Sequence, residues 1–265
     1  MDPLQAIVLA IVQGLSEFLP ISSSGHLILV PHFLGWPDQG LAFDVSVHVG
    51  TLIAVVTYFR KPLAAMIRSG LGSIVHRRLD ADGRMAWCVL VGTVPVGVAG
   101  LLFSGAIEEN LRNPLFVAVT LSVFGVLMWV ADRLGRQTRD EYSLGIREAL
   151  LIGCAQALAL MPGTSRSGIT LTAGLALGLT RSAAARFSFL LSVPGIAMAG
   201  GYEFLQMVSS GAEVDWMITG LGVAVSAVTG YACIHVLLKF IERVGLLPFT
   251  IYRLLLAGVI VLVFA

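Results

Sequence analysis

Charge is what this chain has least of. Of its 265 residues only 12% are Asp, Glu, Lys or Arg, and 17 basic against 16 acidic side chains leave a net charge of +1. A chain so close to neutral has no extended basic surface, so no nucleic-acid partner is expected. Cysteine is scarce as well: Cys88, Cys154 and Cys233 stand in apolar runs, without the C-x-x-C spacing of a metal or redox site. They read as small core residues. Also missing are the basic n-region and small-residue cleavage site of a signal peptide, because Met1-Asp2-Pro3 runs straight into an apolar segment. The N-terminus is therefore expected to stay in the mature protein. What remains is apolar: 57% of the residues are hydrophobic and the mean hydropathy is +0.88. That composition excludes an ordinary soluble domain and predicts an all-α integral membrane protein.

A helix needs about 20 mostly apolar residues to cross a bilayer. Six stretches qualify: 43–59, 86–106, 114–131, 187–206, 216–238 and 250–264. Two regions do not. Residues 1–35 and 145–179 each carry an apolar run, a Pro-Ser-Gly break and a second apolar run, every half too short to cross alone. Broken backbone at membrane depth survives only inside protein or beside a water-filled cavity, so these regions are predicted to be re-entrant helical hairpins. Basic residues gather in three places: Arg60, Lys61, Arg68, Arg77, Arg78 and Arg84; Arg133, Arg136, Arg139 and Arg147; Lys239, Arg243 and Arg253. The positive-inside rule puts all three in the cytoplasm and leaves 36–40, 107–113 and 209–215 outside. The six spans then alternate, with the first hairpin entering from outside and the second from inside. The chain 1–265 thus reads as a single membrane domain built as an inverted-topology repeat, 1–131 and 145–265, each half a re-entrant helical hairpin plus three transmembrane helices. The basic loops around Arg77 and Arg136 read as solvated faces, with lipid headgroup contact as the second reading.

The two hairpins contain one motif twice. Laid over one another without a gap, Gln13 falls on Gln156, Ser22 on Ser165, Ser24 on Ser167 and Gly25 on Gly168; Ser23 meets Arg166, and only the first copy adds Glu17 and His26. Ionisable groups inside a membrane are costly and mark function. The Arg166 guanidinium is a planar fork of donors that suits phosphate oxygens. Gly25 and Gly168 each follow serines and open a helix, the setting of an anion site. Glu17 repels such an anion, so it is expected to hold a metal ion or to orient His26, which can transfer protons or attack phosphorus. Together these groups point to phosphoryl transfer. Each has a plainer reading beside it. Serines bond the preceding turn, Arg166 caps a half-helix, Glu17 and His26 pair with each other, and Gln13 and Gln156 bond between helices. His32, His48, His76 and His235 are read as structural, and Pro20, Pro162 and Pro194 as helix breakers.

These strings resemble the undecaprenyl-diphosphate phosphatase family, the membrane enzymes associated with bacitracin resistance. The likeness runs over essentially the whole length. It rests on Gln13 and Glu17 four residues apart, on Phe18-Leu19-Pro20 leading to Ser22-Ser23-Ser24-Gly25-His26, on Pro162-Gly163-Thr164-Ser165-Arg166-Ser167-Gly168, and on Arg186 to Leu191. Two positions depart: Gln13 stands where some members have Glu, and Ser24 where relatives have Thr. The Lys-x6-Arg-Pro motif of the other lipid-phosphatase class is not found. The resemblance implies an enzyme of the bacterial inner membrane, opening to the periplasmic side, that removes the terminal phosphate of a C55 polyprenyl diphosphate. It also implies a divalent cation, Mg2+ or Ca2+, with Glu17 and Gln13 as the metal residues. The expected catalytic set is Glu17, Ser23, His26 and Arg166, and the expected substrate-binding set is Ser22, Ser24, Gly25, Thr164, Ser165, Ser167 and Gly168. Either Ser23 attacks with His26 as base, or His26 attacks. Partners are then the polyprenyl diphosphate and membrane lipids, and a homodimer is left open. The rival reading is an inverted-repeat transporter, such as a polyprenyl-phosphate flippase. The topology predicts that cysteines placed at Asp2 and Asp38 both react with a membrane-impermeant reagent added outside; protection of Asp2→Cys would make 4–19 a full span.

Overall fold

A computed structural model describes residues 1–110, 113–210 and 214–264, and the side chains of all of these except 104–110 and 210. Eleven α-helices and no β-strand occur among the described residues. Helix α1 (Pro3–Ser16) starts on a reciprocal cap. Asp2 Oδ1 accepts from the Gln5 amide at 2.8 Å and the Gln5 side chain accepts from the Asp2 amide, with Pro3 at the first position. It gives way at Glu17 to turns that last until α2 (Ser23–Leu34), which stops on Gly35 in the left-handed region at φ 65°. There follow α3 (Leu41–Tyr58), α4 (Arg60–His76), α5 (Ala81–Asn110) and α6 (Pro114–Leu134). The second half has α7 (Ile146–Ala157), α8 (Arg166–Ala176), α9 (Arg181–Ser210), α10 (Trp216–Val244) and α11 (Leu247–Phe264).

Six helices, α3, α5, α6, α9, α10 and α11, are long and apolar enough to cross a membrane, and they match the six predicted spans. The chain is a multi-pass membrane protein. At 1.5 Å per residue, α1, α2, α7 and α8 reach only about 17–21 Å, short of the hydrocarbon thickness of about 30 Å. Each short pair packs on itself, α1 on α2 and α7 on α8. The start of α1, the middle of α2 and the starts of α3 and α10 share one apolar cluster around Ala6, Leu27, Phe43 and Ile218. The start of α7 and the end of α8 lie in another, with the starts of α5 and α9 and the ends of α3 and α10, around Ile152, Leu175, Cys88, Ala184, Val55 and Ile241. The long partners are exchanged: α1 lies against α10, and α7 against α5. Small residues make both contacts close. A Cβ on Gly14 would fall 2.8 Å from Thr229 Cβ, and one on Gly153 would collide with the Gly92 carbonyl.

Several expectations are corrected. The third basic group is not a loop: α10 and α11 are joined by Gly245 and Leu246 alone, Lys239 and Arg243 end α10, and Arg253 is fully buried inside α11. The first basic group is exposed but is not one loop, because Arg60, Lys61 and Arg68 lie in the helix Arg60–His76 and Arg84 in α5; of the second group, Arg147 belongs to α7. Pro194 sits within a continuous α9, so it does not break the helix. Cys154 is exposed, unlike Cys88 and Cys233. Residues 111–112 and 211–213 of the predicted outer loops lie outside the described residues.

The close α5–α7 contact yields a test. Gly153→Val should destabilise the fold by roughly 1–3 kcal/mol through overpacking, whereas Gly195→Ala, whose added methyl meets nothing within 4 Å, should be neutral or slightly stabilising. Thermal unfolding of both variants in one detergent checks the order.

Candidate active site

Both helix breaks turn on the same strained residue. Ser22 has φ 76° and ψ 94°, and its counterpart Ser165 has φ 70° and ψ 112°. Such a conformation costs a non-glycine residue about 1–3 kcal/mol and lasts only where its surroundings hold it. The hydroxyls repeat as well: Ser22 and Ser24 Oγ are 3.4 Å apart, Ser165 and Ser167 Oγ 3.3 Å. The two breaks touch each other, since Ser167 Oγ donates to the Leu19 carbonyl at 3.0 Å.

Arg253 lies between them. Its Nη1 donates to Pro20 O of the first break, its Nη2 to Gly163 O and Thr164 O of the second at 3.0 Å each, and its Nε to Leu121 O of α6 at 3.0 Å. A cation so buried is tolerated because it meets carbonyls that the broken helices leave without amide partners.

Glu17 is the hub of the polar groups. Its Oε1 accepts from Arg166 Nη2 at 2.7 Å, while its Oε2 accepts from Gln13 Nε2 at 3.0 Å and from Ser23 Oγ at 2.9 Å. The ion pair joins the two hairpins and is largely buried, with side chains 18% and 7% exposed. Arg166 Nη1 also donates to Ser188 O of α9 at 3.2 Å. His48 of α3 brings its Nε2 within 4.0 Å of Glu17 Oε2.

His26 stands apart from this group. Its Nδ1 lies 2.7 Å from the Ser22 carbonyl, which only accepts, so Nδ1 carries the proton. In the neutral ring Nε2 is then the acceptor, and it faces the Tyr252 hydroxyl at 2.5 Å, with the two rings stacked 5.6 Å apart at 9°. Ser23 thus donates to Glu17, and among the described residues there is no Ser23–His26 or Glu17–His26 hydrogen bond.

The remaining predicted residues divide. Gly25 and Gly168 are third in their helices, but Ser165 Oγ already caps the Gly168 amide at 3.2 Å, whereas no side chain caps α2. The first copy therefore keeps the open helix N-terminus. Ser24 is exposed at that end, and the Thr164 hydroxyl is buried without a partner. Gln156 is buried with neither amide atom bonded, not the interhelical bond expected of it. Gln13 bonds within its own helix, and its oxygen is also partnerless. That oxygen, Glu17 Oε2 and Ser23 Oγ make an oxygen-donor set of the kind Mg2+ or Ca2+ takes, leaving the rest of the shell to water and phosphate oxygens. The residues fit such an ion, although no three His, Cys, Asp or Glu among the described residues could hold one unaided.

Sequence reasoning missed His48, Tyr252 and Arg253. For two of them a signal existed: His48 and Arg253 are ionisable residues inside predicted spans, the same pattern that singled out Glu17. Tyr252 gave none beyond adjoining Arg253.

A family model described as bacitracin resistance protein BacA matches residues 6–259. The chain is 58% identical to undecaprenyl-diphosphatase 2 of Stutzerimonas stutzeri (strain A1501), covering 100% of this chain and 99% of that protein. It is 56% identical to the undecaprenyl-diphosphatase of Teredinibacter turnerae, over 97% of each, and 53% identical to that of Nitrosococcus oceani, over 100% of each.

The Tyr252 contact makes a prediction of its own. Tyr252→Phe keeps the stacked ring but frees Nε2, so carbethoxylation of His26 by diethylpyrocarbonate, read by peptide mass spectrometry, should quicken severalfold while His76 reacts as before. An unchanged His26 rate would mean that the hydroxyl does not cover it.

Proposed function

The chain belongs to the bacitracin resistance protein BacA family, and on that basis we infer that it is an undecaprenyl-diphosphatase, hydrolysing undecaprenyl diphosphate to undecaprenyl phosphate and inorganic phosphate. The reaction recycles the lipid carrier of bacterial cell-wall synthesis. One observation carries the assignment of the site: Glu17 joins Ser23 of its own hairpin and Arg166 of the other on a single carboxylate.

With no substrate bound, Arg166 and Glu17 satisfy each other's charge. An incoming diphosphate offers Arg166 two parallel acceptors, and the guanidinium moves from carboxylate to phosphate. The uncapped amides of α2 add donors on the same side as Ser23 and Ser24. Glu17, left with a charge in a poorly solvated place, is then the nearest acceptor for the Ser23 proton. Ser23 Oγ attacks the terminal phosphorus, the P–O bond to the bridging oxygen breaks, and undecaprenyl phosphate leaves. Water opens the phosphoserine, Ser23 regains its proton and inorganic phosphate departs. A divalent cation held by Glu17 and Gln13 would neutralise charge on the transferred group. In this conformation Glu17 is better placed than His26 to take the Ser23 proton, because both His26 nitrogens are engaged by Ser22 and Tyr252. His26 as the attacking group requires Tyr252 to withdraw first.

The inverted-topology repeat with two re-entrant hairpins is part of the same proposal. It is supported by the opposite end clusters that hold the two short pairs, by the exchanged partners α10 and α5, and by the matching strain at Ser22 and Ser165. Placement in the inner membrane, with the site opening to the periplasm, draws on two features. The basic residues of 60–84 and 133–147 lie at one end. From Glu17, His48 and then Asp44 lead along α3 toward its N-terminal end, the other one. The lipid tail then stays in the bilayer while the diphosphate reaches the breaks.

Purified protein in detergent should release phosphate from undecaprenyl diphosphate. Arg166→Ala should lower kcat/KM by about 10²–10³, and Ser23→Ala should lower it at least as far. Acid quenching of turnover with terminally labelled substrate should leave acid-stable label on Ser23. Acid-labile label on His26 would move the nucleophile there, and near-normal turnover by Arg166→Ala would remove the site assignment altogether.

A further inference from the structure

Helix α4 is the element that duplication does not account for. In the second half α9 is followed directly by α10, whereas in the first α4 intervenes between α3 and α5. It is not among the six candidate spans and contributes nothing to the site. One face of α4 packs on α5. Met66 is buried, a Cβ on Gly70 would meet Ala86 at 3.1 Å, Trp87 Nε1 donates to Ser73 Oγ at 3.0 Å, and Ser69 Oγ donates to Asp80 at 3.0 Å. The opposite face is apolar and bare: Ile67, Leu71, Ile74 and Val75, spaced as one helical stripe, are 60–74% exposed.

The charge around that stripe is mostly positive, with Asp80 at the turn into α5 as the acidic exception. From residue 60 to 79 the chain has Arg60, Lys61, Arg68, Arg77 and Arg78 and no acidic residue, and all five are exposed. Beside it a cleft of about 470 Å3, lined by Ser69, Gly72, His76, Arg78 and Asp80, opens between α4 and the turn into α5. A helix with a bare apolar stripe and a basic margin suits the boundary between acyl chains and headgroups. There the stripe leaves water and the basic side chains reach lipid phosphates. A water-facing helix would leave the stripe hydrated, and a lipid-buried one would bury five cations.

We propose that α4 is an interfacial anchor that seats the basic end of the protein on anionic phospholipid, with Arg68, Arg77 and Arg78 as the headgroup contacts. The occupant is the bilayer itself, chosen over a second copy of the chain because two such surfaces would bring ten cations together.

The test uses the full chain in nanodiscs of phosphatidylcholine with and without phosphatidylglycerol. Leu71→Cys is made in a Cys154→Ala background, since Cys88 and Cys233 are buried, and carries a spin label. With phosphatidylglycerol present, the label should collide with oxygen severalfold more than with a water-soluble nickel chelate. Native mass spectrometry should show retained phosphatidylglycerol favoured over phosphatidylcholine on the order of a hundredfold for three basic contacts. That preference should vanish in Arg68→Gln/Arg77→Gln/Arg78→Gln while phosphate release is unchanged. High salt should erode it in the unaltered protein, which serves if the triple variant does not accumulate. Nickel access to the label in both kinds of disc would overturn the proposal. So would undiminished retention in the triple variant, or dipolar broadening from a second labelled copy.

Discussion

A broken helix frees carbonyl oxygens that its own amides no longer meet, and the whole arrangement depends on how those oxygens are satisfied. In this chain one guanidinium takes three of them. Arg253 reaches Pro20 from one break and Gly163 and Thr164 from the other, and fastens both to Leu121 of α6. A lysine could not span so many acceptors, because its ammonium is a single point with three donors, whereas the guanidinium distributes five over a plane. The two breaks are held against each other by a group that touches only backbone. Their side chains are thereby left free for other work.

That freedom is what the Glu17–Arg166 pair uses. A buried ion pair contributes little net stability, since desolvation offsets attraction, and losing either partner strands the other. Its value here is that the two charges come from different hairpins and that one of them has a better acceptor in a diphosphate. The resting pair leaves neither Glu17 nor Arg166 with an unmatched charge. In the proposed mechanism substrate exchanges the partner of Arg166 and leaves Glu17 basic, next to the Ser23 hydroxyl already bonded to it. The carboxylate that repels the anion when idle is the one made useful by its arrival.

Much of this was legible in the residues. Apolar length marked the six spans, and the repeated serine-glycine strings marked the two breaks. The convergence of Glu17 with Arg166, far apart in sequence, was expected from the repeat of the motif, and the two side chains do meet. What escaped were contacts that depend on which face of a helix looks inward. Arg253 carries a charge that looks cytoplasmic when read beside Lys239 and Arg243, and only the two-residue connection between α10 and α11 puts it deep in the fold. His48 and Tyr252 sit on helices whose hydropathy does not distinguish the face toward lipid from the face toward the site. The expected Ser23–His26 contact is absent from this conformation for a similar reason: proximity in sequence says nothing of where an imidazole points. The one-turn spacing from Ser22 to His26 aims the ring back at the Ser22 carbonyl instead.

The two copies show which features belong to the frame and which to the chemistry. Strain at Ser22 and at Ser165, and the hydroxyl pair beside each, persist in both. They are properties of a tight break, not of catalysis. Capping differs: Ser165 turns its hydroxyl onto its own helix, while Ser22 leaves the N-terminus of α2 open beside Ser23, Ser24 and Glu17. A helix end that caps itself has no use for an anion, and one that does not still needs it. The asymmetry in capping therefore leaves the uncapped helix end in the same copy as the carboxylate and the hydroxyl, which is why the proposed site puts the anion there. The second copy reaches across only through Arg166, the one group in it whose resting partner a phosphate can displace.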